Sequence, residues 1–135
     1  MKEANRANIE FVFADDDSQF RVALRNALMH EGYKDISDCS SLMKVEECFQ
    51  TGAPDLLLID VQMEGGAGFD TISKIRRSEI GKNPFITIMV TLWEPDGDLV
   101  RKVIESGVDD ILLKPISTGQ LMQRIEQLAN ERQKF

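Results

Sequence analysis

The sequence predicts an α/β fold in which helices cover both faces of a parallel β-sheet, and three observations support this prediction. Short apolar runs alternate along the chain with longer segments whose apolar residues recur every three or four positions. Three of the short runs are almost wholly apolar, which is typical of strands buried on both faces of a parallel sheet. Four of the longer segments end near a glycine, as helices often do. The alternation predicts five βα units in a doubly wound open sheet.

The predicted strands are the short apolar runs together with one more polar segment after the first helix. In chain order they are Ile9–Ala14, Asp35–Cys39, Asp55–Asp60, Phe85–Val90 and Val108–Leu113. The first, third and fourth of these are the nearly unbroken apolar runs.

The predicted helices lie between the strands and carry apolar stripes at helical spacing. The second helix begins at Ser40-Ser41, and the fifth begins at Ser117-Thr118-Gly119-Gln120, the pattern of a capping box. The first four helices end at or before Gly32, Gly52, Gly81 and Gly107. The stripes of the first, third, fourth and fifth helices are Phe20, Ala23, Leu24, Ala27 and Leu28, then Phe69, Ile72 and Ile75, then Leu99, Val100, Val103 and Ile104, and finally Leu121, Ile125 and Leu128.

Length, charge and cysteine usage exclude several classes of function. A chain of 135 residues with 42% hydrophobic residues suits one domain. A net charge of −7 disfavours direct nucleic-acid binding. No apolar run approaches the ~20 residues of a membrane span, and the polar start lacks a secretory signal, so we expect a cytoplasmic location and no membrane contact. Cys39, Cys48 and the single histidine, His30, form no zinc-site pattern, and we expect two free thiols.

Residues that can act chemically stand at the ends of four predicted strands. Asp15–Asp17 follow the first strand, and Asp60 ends the third after four apolar residues. Thr91 follows the fourth strand and Lys114 the fifth. Because the carboxyl ends of parallel strands meet at one edge of the sheet, these groups converge in one cleft if their strands are neighbours.

The chemistry of such a cleft points to phosphoryl transfer. Clustered carboxylates repel one another and favour a cation between them, and ligands that are all oxygen suit Mg²⁺. Asp60 is a candidate nucleophile toward phosphorus because a buried strand fixes its carboxylate. Phosphoryl transfer spreads negative charge over three oxygens, for which Mg²⁺, the Lys114 ammonium and the Thr91 hydroxyl supply one partner each.

Each of these residues also has a structural interpretation. Asp15–Asp17 can cap the first helix, where acidic side chains are favourable. Thr91 can be an ordinary strand-end residue, Lys114 a solvated loop lysine and Asp60 a strand terminator. The glycines at 65, 66 and 68 lack the context of a nucleotide-binding loop.

Four segments resemble the signature blocks of the response-regulator receiver family of two-component signalling, with a chemotaxis-receiver-like pattern. They are FVFADDDSQFR, LLLIDVQMEGGAGFD, IMVTLW and ILLKP. The resemblance extends from about Ile9 to the end of the last helix, and the blocks occur in the family's order. It implies a flavodoxin-like sheet with strand order 2-1-3-4-5.

The resemblance also implies a role for each matched residue. Asp15 and Asp16 correspond to the acidic pair that binds Mg²⁺, with Asp16 the more direct ligand, while Asp17 falls on a variable position. Asp60 corresponds to the phosphoacceptor, which is also a metal ligand. Gln62 occupies the position whose backbone carbonyl completes the metal site.

The remaining matches concern the switch and the phosphoryl group. Thr91 corresponds to the switch hydroxyl that moves toward the phosphoryl group, and Lys114 to the ammonium that binds it. Pro115 corresponds to a proline preceded by a cis peptide bond, a bond that is accessible before proline.

Five positions matter for how far this chain follows the family's usual pattern. Ile111 stands where an aromatic residue usually precedes the lysine by three positions, so we expect a weak output or one that uses another route. Leu92 replaces a small residue after the switch hydroxyl, so we expect restricted access of small phosphodonors and water to Asp60. Gln62 and Trp93 occupy the positions that tune the lifetime of the aspartyl phosphate, and we expect altered dephosphorylation. Glu64 replaces a common proline, which predicts a more mobile loop.

Three functions are compatible with these features. The first is a phosphorylation-controlled switch that receives its phosphoryl group from a histidine kinase or a histidine phosphotransfer protein, without enzymatic activity beyond its own phosphorylation and dephosphorylation. The second is a pseudo-receiver that binds proteins independently of phosphate, which Ile111 and Leu92 keep open. The third is a haloacid-dehalogenase-like phosphatase. It is disfavoured because Gln62 stands where that mechanism needs a second aspartate, and because the strand is the third rather than the first.

We expect an N-terminal extension over residues 1–8, a receiver domain over 9–131 and a tail over 132–135. The chain is either a stand-alone receiver or part of a longer protein. The resemblance places the surface for an output domain or target, or for a homodimer, on the fourth helix, fifth strand and fifth helix, including Val100, Ile104, Ile111 and Met122.

Overall fold

The computed structural model describes residues 6–93 and 97–132, and over these residues five parallel strands form a single sheet. The strand order is β2-β1-β3-β4-β5, as the sequence predicts. The strands are β1 Glu10–Ala14, β2 Asp35–Cys39, β3 Leu56–Asp60, β4 Thr87–Trp93 and β5 Asp110–Lys114.

Five helices of eight or more residues connect and follow the strands in the described part of the chain. They are α1 Ser18–His30, α2 Leu42–Thr51, α3 Gly68–Arg76, α4 Gly97–Glu105 and α5 Thr118–Arg132. A 3₁₀ turn, Met63–Gly66, precedes α3, and residues 6–8 form a helical turn before β1.

The alternation of side chains along the strands divides the apolar core between the two faces of the sheet. On one face, Val12 and Val90 pack in a cluster with apolar residues of α2, α3 and α4. On the other face, Phe11 and Phe13 pack with residues of α1 and α5. The helices therefore cover both faces, and the doubly wound α/β fold predicted from the sequence is confirmed.

Side-chain caps fix where several helices begin. The Asp17 carboxylate accepts hydrogen bonds from the amides of Gln19 and Phe20 at the start of α1. The predicted capping box of α5 is confirmed, because the Gln120 amide donates to the Ser117 hydroxyl at 3.1 Å and the Ser117 amide donates to the Gln120 side chain at 3.3 Å.

The fourth strand begins two residues later and ends three residues later than predicted. Phe85 lies outside β4 and is 85% exposed. The Asn83 side chain accepts a hydrogen bond from the Phe85 amide at 2.9 Å. This bond forms a local turn, and β4 begins after it at Thr87. At the other end β4 continues through Trp93, because Leu92 and Trp93 still pair with β5. The other strand boundaries lie within two residues of the prediction.

Arg76, at the end of α3, ties that helix to the amino ends of β4 and β5. Its guanidinium donates to the carbonyls of Pro84, Ile86 and Gly107 at 2.7 to 2.8 Å. It also contacts Asp109, whose carboxylate accepts the amide of Ile88 at 2.8 Å. The helical pattern of the sequence contains no signal for these contacts.

None of the described helices combines the length and the apolar character that crossing a bilayer requires.

Candidate functional site

The carboxyl edge of the sheet brings together the acidic and basic residues that follow β1, β3 and β5. Asp15 comes directly after β1, while Asp60 is the last residue of β3 and Lys114 the last residue of β5. Asp60 pairs in register with Thr91 of β4. The strand order places β1 and β4 on either side of β3, so this edge collects the side chains that follow four strands.

The ammonium group of Lys114 bridges two buried carboxylates. It lies 2.5 Å from Oδ2 of Asp15 and 3.4 Å from Oδ2 of Asp60. The three side chains are 1 to 7% exposed. Buried charges of this kind are tolerated when they are paired and hydrogen-bonded. The Lys114 ammonium therefore offsets part of the cost of burying the two carboxylates.

The buried pair shifts the pKa values of both partners. Burial raises the pKa of Asp15 above its usual range, and the hydrogen bond from Lys114 offsets only part of that effect. Burial by itself would lower the pKa of Lys114. The hydrogen bond and negative charge of Asp15, with the charge of Asp60, outweigh it and raise the pKa of Lys114.

Backbone amides and Arg21 hold the acidic residues in place. The amide of Asp17 donates to Oδ1 of Asp15 at 2.9 Å, and the amide of Gln62 donates to Oδ1 of Asp60 at 2.8 Å. Arg21 donates to the carbonyl of Asp15 at 2.6 Å and forms an ion pair with Asp38 at 2.7 Å. Each buried carboxylate therefore has one oxygen on a backbone amide and the other near Lys114.

The arrangement of three carboxylates suits a hard divalent cation. One oxygen from each of Asp15, Asp16 and Asp60 lies within 4.8 Å of the other two. Asp16 is exposed, whereas Asp15 and Asp60 are buried, so the cluster opens to solvent on the side of Asp16. Carboxylate oxygens, with one side open for water, are the donors that Mg²⁺ prefers. The residues present therefore fit a magnesium ion.

Two aromatic rings lie close to the ammonium of Lys114. The Phe20 ring centre, on α1, is 5.0 Å from Nζ, and the Trp93 ring centre, at the end of β4, is 5.8 Å away. Both distances allow a cation–π attraction. Sequence reasoning missed Phe20 as a neighbour of the site, although its place on the apolar stripe of α1 directs it toward the sheet.

The loop after Asp60 is joined to the end of β4 through Gln62. Its side-chain amide donates to the carbonyl of Trp93 at 3.0 Å and accepts the amide of Trp93 at 2.6 Å. The same loop is also joined to α2, because the Glu64 carboxylate accepts the amide of Leu42 at 2.7 Å. Glu64 has a left-handed backbone with φ of 50°. The sequence revealed neither contact.

The structure thus brings Asp15, Asp16, Asp60 and Lys114 together and places Thr91, which is 1% exposed, beside Asp60 in the sheet. The backbone amide of Gln62 contacts the acceptor residue. Asp17 caps α1, as the structural interpretation of the acidic run anticipates. Among the other predicted positions, Leu92 is fully buried and Ile111 is half-buried. The Lys114–Pro115 peptide bond is cis.

Comparison with known proteins identifies the family. The sequence model of the response regulator receiver domain family matches residues 11–126, so this chain belongs to that family. Transcriptional regulatory protein PdtaR of Mycobacterium tuberculosis is 29% identical over 115 residues, which cover 85% of this chain and 54% of PdtaR. The chain therefore spans about half the length of this curated relative.

Solved structures of receivers share the fold. A CheY-like receiver domain protein of Methanospirillum hungatei superimposes with a TM-score of 0.82 at 17% identity, over 93% of this chain and 97% of that one. A response regulator of Burkholderia pseudomallei, solved with a phosphorylated aspartic acid, a calcium ion and citrate, gives a TM-score of 0.74 at 17% identity. That match covers 93% of this chain and 71% of the other. Membership of this family is consistent with a role in two-component signalling.

Proposed function

We propose that this chain accepts a phosphoryl group on Asp60 and that the modification changes which proteins it binds. The observation that carries the proposal is the buried Asp60 carboxylate, held by a backbone amide on one oxygen and by Lys114 near the other. A carboxylate that attacks phosphorus needs a fixed position and a neighbouring positive charge that stabilises the negative charge of the phosphoryl group. Both are present.

The donor in this proposal is a phosphohistidine of a histidine kinase or of a histidine phosphotransfer protein. An oxygen of Asp60 forms a bond to phosphorus while the phosphorus–nitrogen bond of the donor breaks, and the histidine leaves with the electron pair. Lys114 moves from the carboxylate pair to one phosphoryl oxygen, and the Thr91 hydroxyl donates to another. The amide of Gln62 positions Asp60 throughout.

Magnesium belongs to this proposal as the cofactor. Asp15, Asp16 and Asp60 would hold it, with the backbone carbonyl of Gln62 as a further ligand. When bound, the ion supplies positive charge that neutralises the carboxylates and one phosphoryl oxygen. The B. pseudomallei response regulator of the same fold was solved with a phosphorylated aspartic acid and a calcium ion, which accords with this proposal.

The partner surface that we propose is formed by α4, β5 and α5. Ile104 and Leu113 are 62% and 53% exposed there, and Ile111 lies half-buried between them in sequence. This surface would bind an output domain, a target protein or a second copy of the chain.

We further propose that the receiver occupies residues 9–131, flanked by an extension over 1–8 and a tail over 132–135, and that it acts in the cytoplasm. In that extension, Arg6 forms ion pairs with Glu31 and Glu126.

The test uses the single tryptophan as a reporter, because the Trp93 ring lies 5.8 Å from Lys114. Magnesium is titrated first, and beryllofluoride is then added as a mimic of the phosphoryl group. We expect saturable fluorescence changes in both steps. Asp60→Asn should lose the beryllofluoride step. Asp17→Asn is the matched control, since asparagine caps a helix as well as aspartate and Asp17 lies outside the carboxylate cluster.

The competing function is a pseudo-receiver, which Ile111 and Leu92 keep open. A magnesium response without a beryllofluoride response, together with no phosphoryl adduct by intact-mass analysis, would establish that alternative. Persistent phosphoryl labelling of Asp60→Asn would instead move the acceptor to another residue.

A further inference from the structure

The two cysteines of the chain lie side by side at the end of β2. Cys39 is the last residue of β2, and Cys48 lies in the last turns of α2, which packs over the same face of the sheet. Their sulfur atoms are 3.9 Å apart. The fold therefore brings together two thiols that the sequence leaves nine positions apart without a recognisable motif.

The two thiols differ in their access to solvent. Cys39 is 2% exposed and belongs to the apolar cluster between the sheet and α2, whereas Cys48 is half-buried at the border of that cluster. Because Cys48 is the more exposed of the two thiols, a soluble oxidant meets it first, and Cys39 lies behind it.

We propose that Cys39 and Cys48 form an oxidisable dithiol, which a peroxide converts into an intramolecular disulfide between β2 and α2. In the first step the Cys48 sulfur attacks the peroxide, a sulfur–oxygen bond forms, the oxygen–oxygen bond breaks and water leaves, which gives a sulfenic acid. In the second step the Cys39 sulfur attacks the Cys48 sulfur. The sulfur–oxygen bond breaks, and the leaving hydroxide takes the Cys39 proton as water.

The required movement is small. A disulfide has a sulfur–sulfur bond of about 2.05 Å, so the two atoms must approach by roughly 1.9 Å, which side-chain rotation on α2 can contribute. The effective concentration of Cys39 at Cys48 is correspondingly high, so the sulfenic acid should close to the disulfide before a soluble nucleophile captures it.

The site lies beside the acidic cluster. The carbonyl of Cys39 accepts the amide of Asp15 at 3.2 Å, and the preceding Asp38 pairs with Arg21, which also holds the carbonyl of Asp15. A disulfide at Cys39 therefore restrains the strand end that positions Asp15. The dithiol does not depend on the phosphoryl chemistry proposed above, and its test needs no phosphodonor.

The experiment treats the reduced, folded protein with hydrogen peroxide in the presence of dimedone, which traps sulfenic acids. We expect intact mass to show the loss of two hydrogen atoms, and peptide mapping to link Cys39 to Cys48 with little dimedone adduct. In Cys39→Ala the Cys48 sulfenic acid has no partner, so dimedone should label it. In Cys48→Ser we expect Cys39 to remain a free thiol. Because Cys48 is only half-buried, this second variant should fold even if Cys39→Ala does not, and the proposal can still be tested.

Three results would overturn the proposal. The first is a dimedone adduct on Cys48 of the folded wild-type protein with Cys39 still reduced. The second is a disulfide between two chains instead of within one. The third is no reaction of the folded protein under conditions that oxidise the urea-unfolded chain.

Discussion

The side chain of Gln62 forms a two-point hydrogen bond with the backbone of Trp93, joining the loop after Asp60 to the end of β4. The two bonds measure 2.6 and 3.0 Å and use both the carbonyl and the amide group of the glutamine. They position the Trp93 backbone two residues after Thr91, and the Trp93 ring lies near Lys114. One side chain thus connects the loop that follows β3 with the last residue of β4 at the candidate site.

Gln62→Ala should loosen this connection. Both hydrogen bonds are exposed, so we expect the free energy of unfolding to fall by about 1 kcal/mol. The emission of Trp93 should shift to longer wavelength as its ring leaves the position near Lys114. Urea unfolding followed by circular dichroism, with the emission spectrum of the folded state, measures both. Gln123→Ala, on the exposed side of α5, is the control. An unchanged stability and spectrum in Gln62→Ala would mean that the connection does not persist in solution.

Lys114→Met should destabilise the protein in metal-free buffer. The substitution keeps the aliphatic stem of Lys114 but leaves Asp15 and Asp60 buried without their shared cation. We expect a loss of about 3 kcal/mol, and a smaller loss when Mg²⁺ is added, because the ion supplies positive charge to the same carboxylates. Thermal unfolding with and without Mg²⁺ measures the effect, with Lys82→Met at an exposed loop position as control. A deficit that Mg²⁺ leaves unchanged would argue against these carboxylates as metal ligands.

The fold and the acidic cluster could be predicted because both follow from patterns along single strands and helices. The period of apolar residues identified the elements, and the parallel arrangement brought their carboxyl ends together. Asp15, Asp60 and Lys114 therefore met as expected. The same logic failed at Phe85, whose apolar side chain fits a strand pattern although its amide donates to the Asn83 side chain and a turn forms there.

The contacts around the site could not be predicted, because they join residues far apart in sequence through loop geometry. Gln62 and Trp93 are 31 positions apart, and nothing in either segment encodes their pairing. Phe20 could be assigned to the core from its spacing, but its distance from Lys114 depends on how α1 sits on the sheet. Cys39 and Cys48 likewise gave no motif, since α2 and β2 meet only in the folded chain.

Adjacent arginines at the end of α3 should respond very differently to substitution. Arg76 donates to three backbone carbonyls and contacts Asp109, whereas Arg77 is 66% exposed and pairs only with Glu79 among the described residues. Arg76→Met leaves those carbonyls without their donor, and we expect a loss of about 2–4 kcal/mol. Arg77→Met should change stability by less than about 0.5 kcal/mol. Equal losses in urea unfolding would show that the Arg76 contacts contribute little.

Alkaline pH should destabilise the protein through its single tyrosine. Tyr33 is 1% exposed, and burial, followed by the negative charge of Glu126, raises its pKa. The folded chain therefore keeps the phenolic proton above about pH 10, where the unfolded chain releases it. Since the unfolded state then binds fewer protons, the free energy of unfolding falls as pH rises through that range.

Tyr33→Phe isolates this contribution, because phenylalanine keeps the edge-on ring contact with Phe11 at 5.9 Å and has no proton to lose. Lys114 and Cys39, whose pKa values are also raised, act in the same direction and remain in both proteins. As pH rises from 9 to 11, the free energy of unfolding measured in urea should therefore fall more for the wild type than for Tyr33→Phe. This window is set by the ordinary tyrosine pKa of about 10. Tyrosinate absorbance in the folded wild-type protein provides the independent check. Full ionisation of Tyr33 near pH 10 without unfolding would contradict the burial of its hydroxyl.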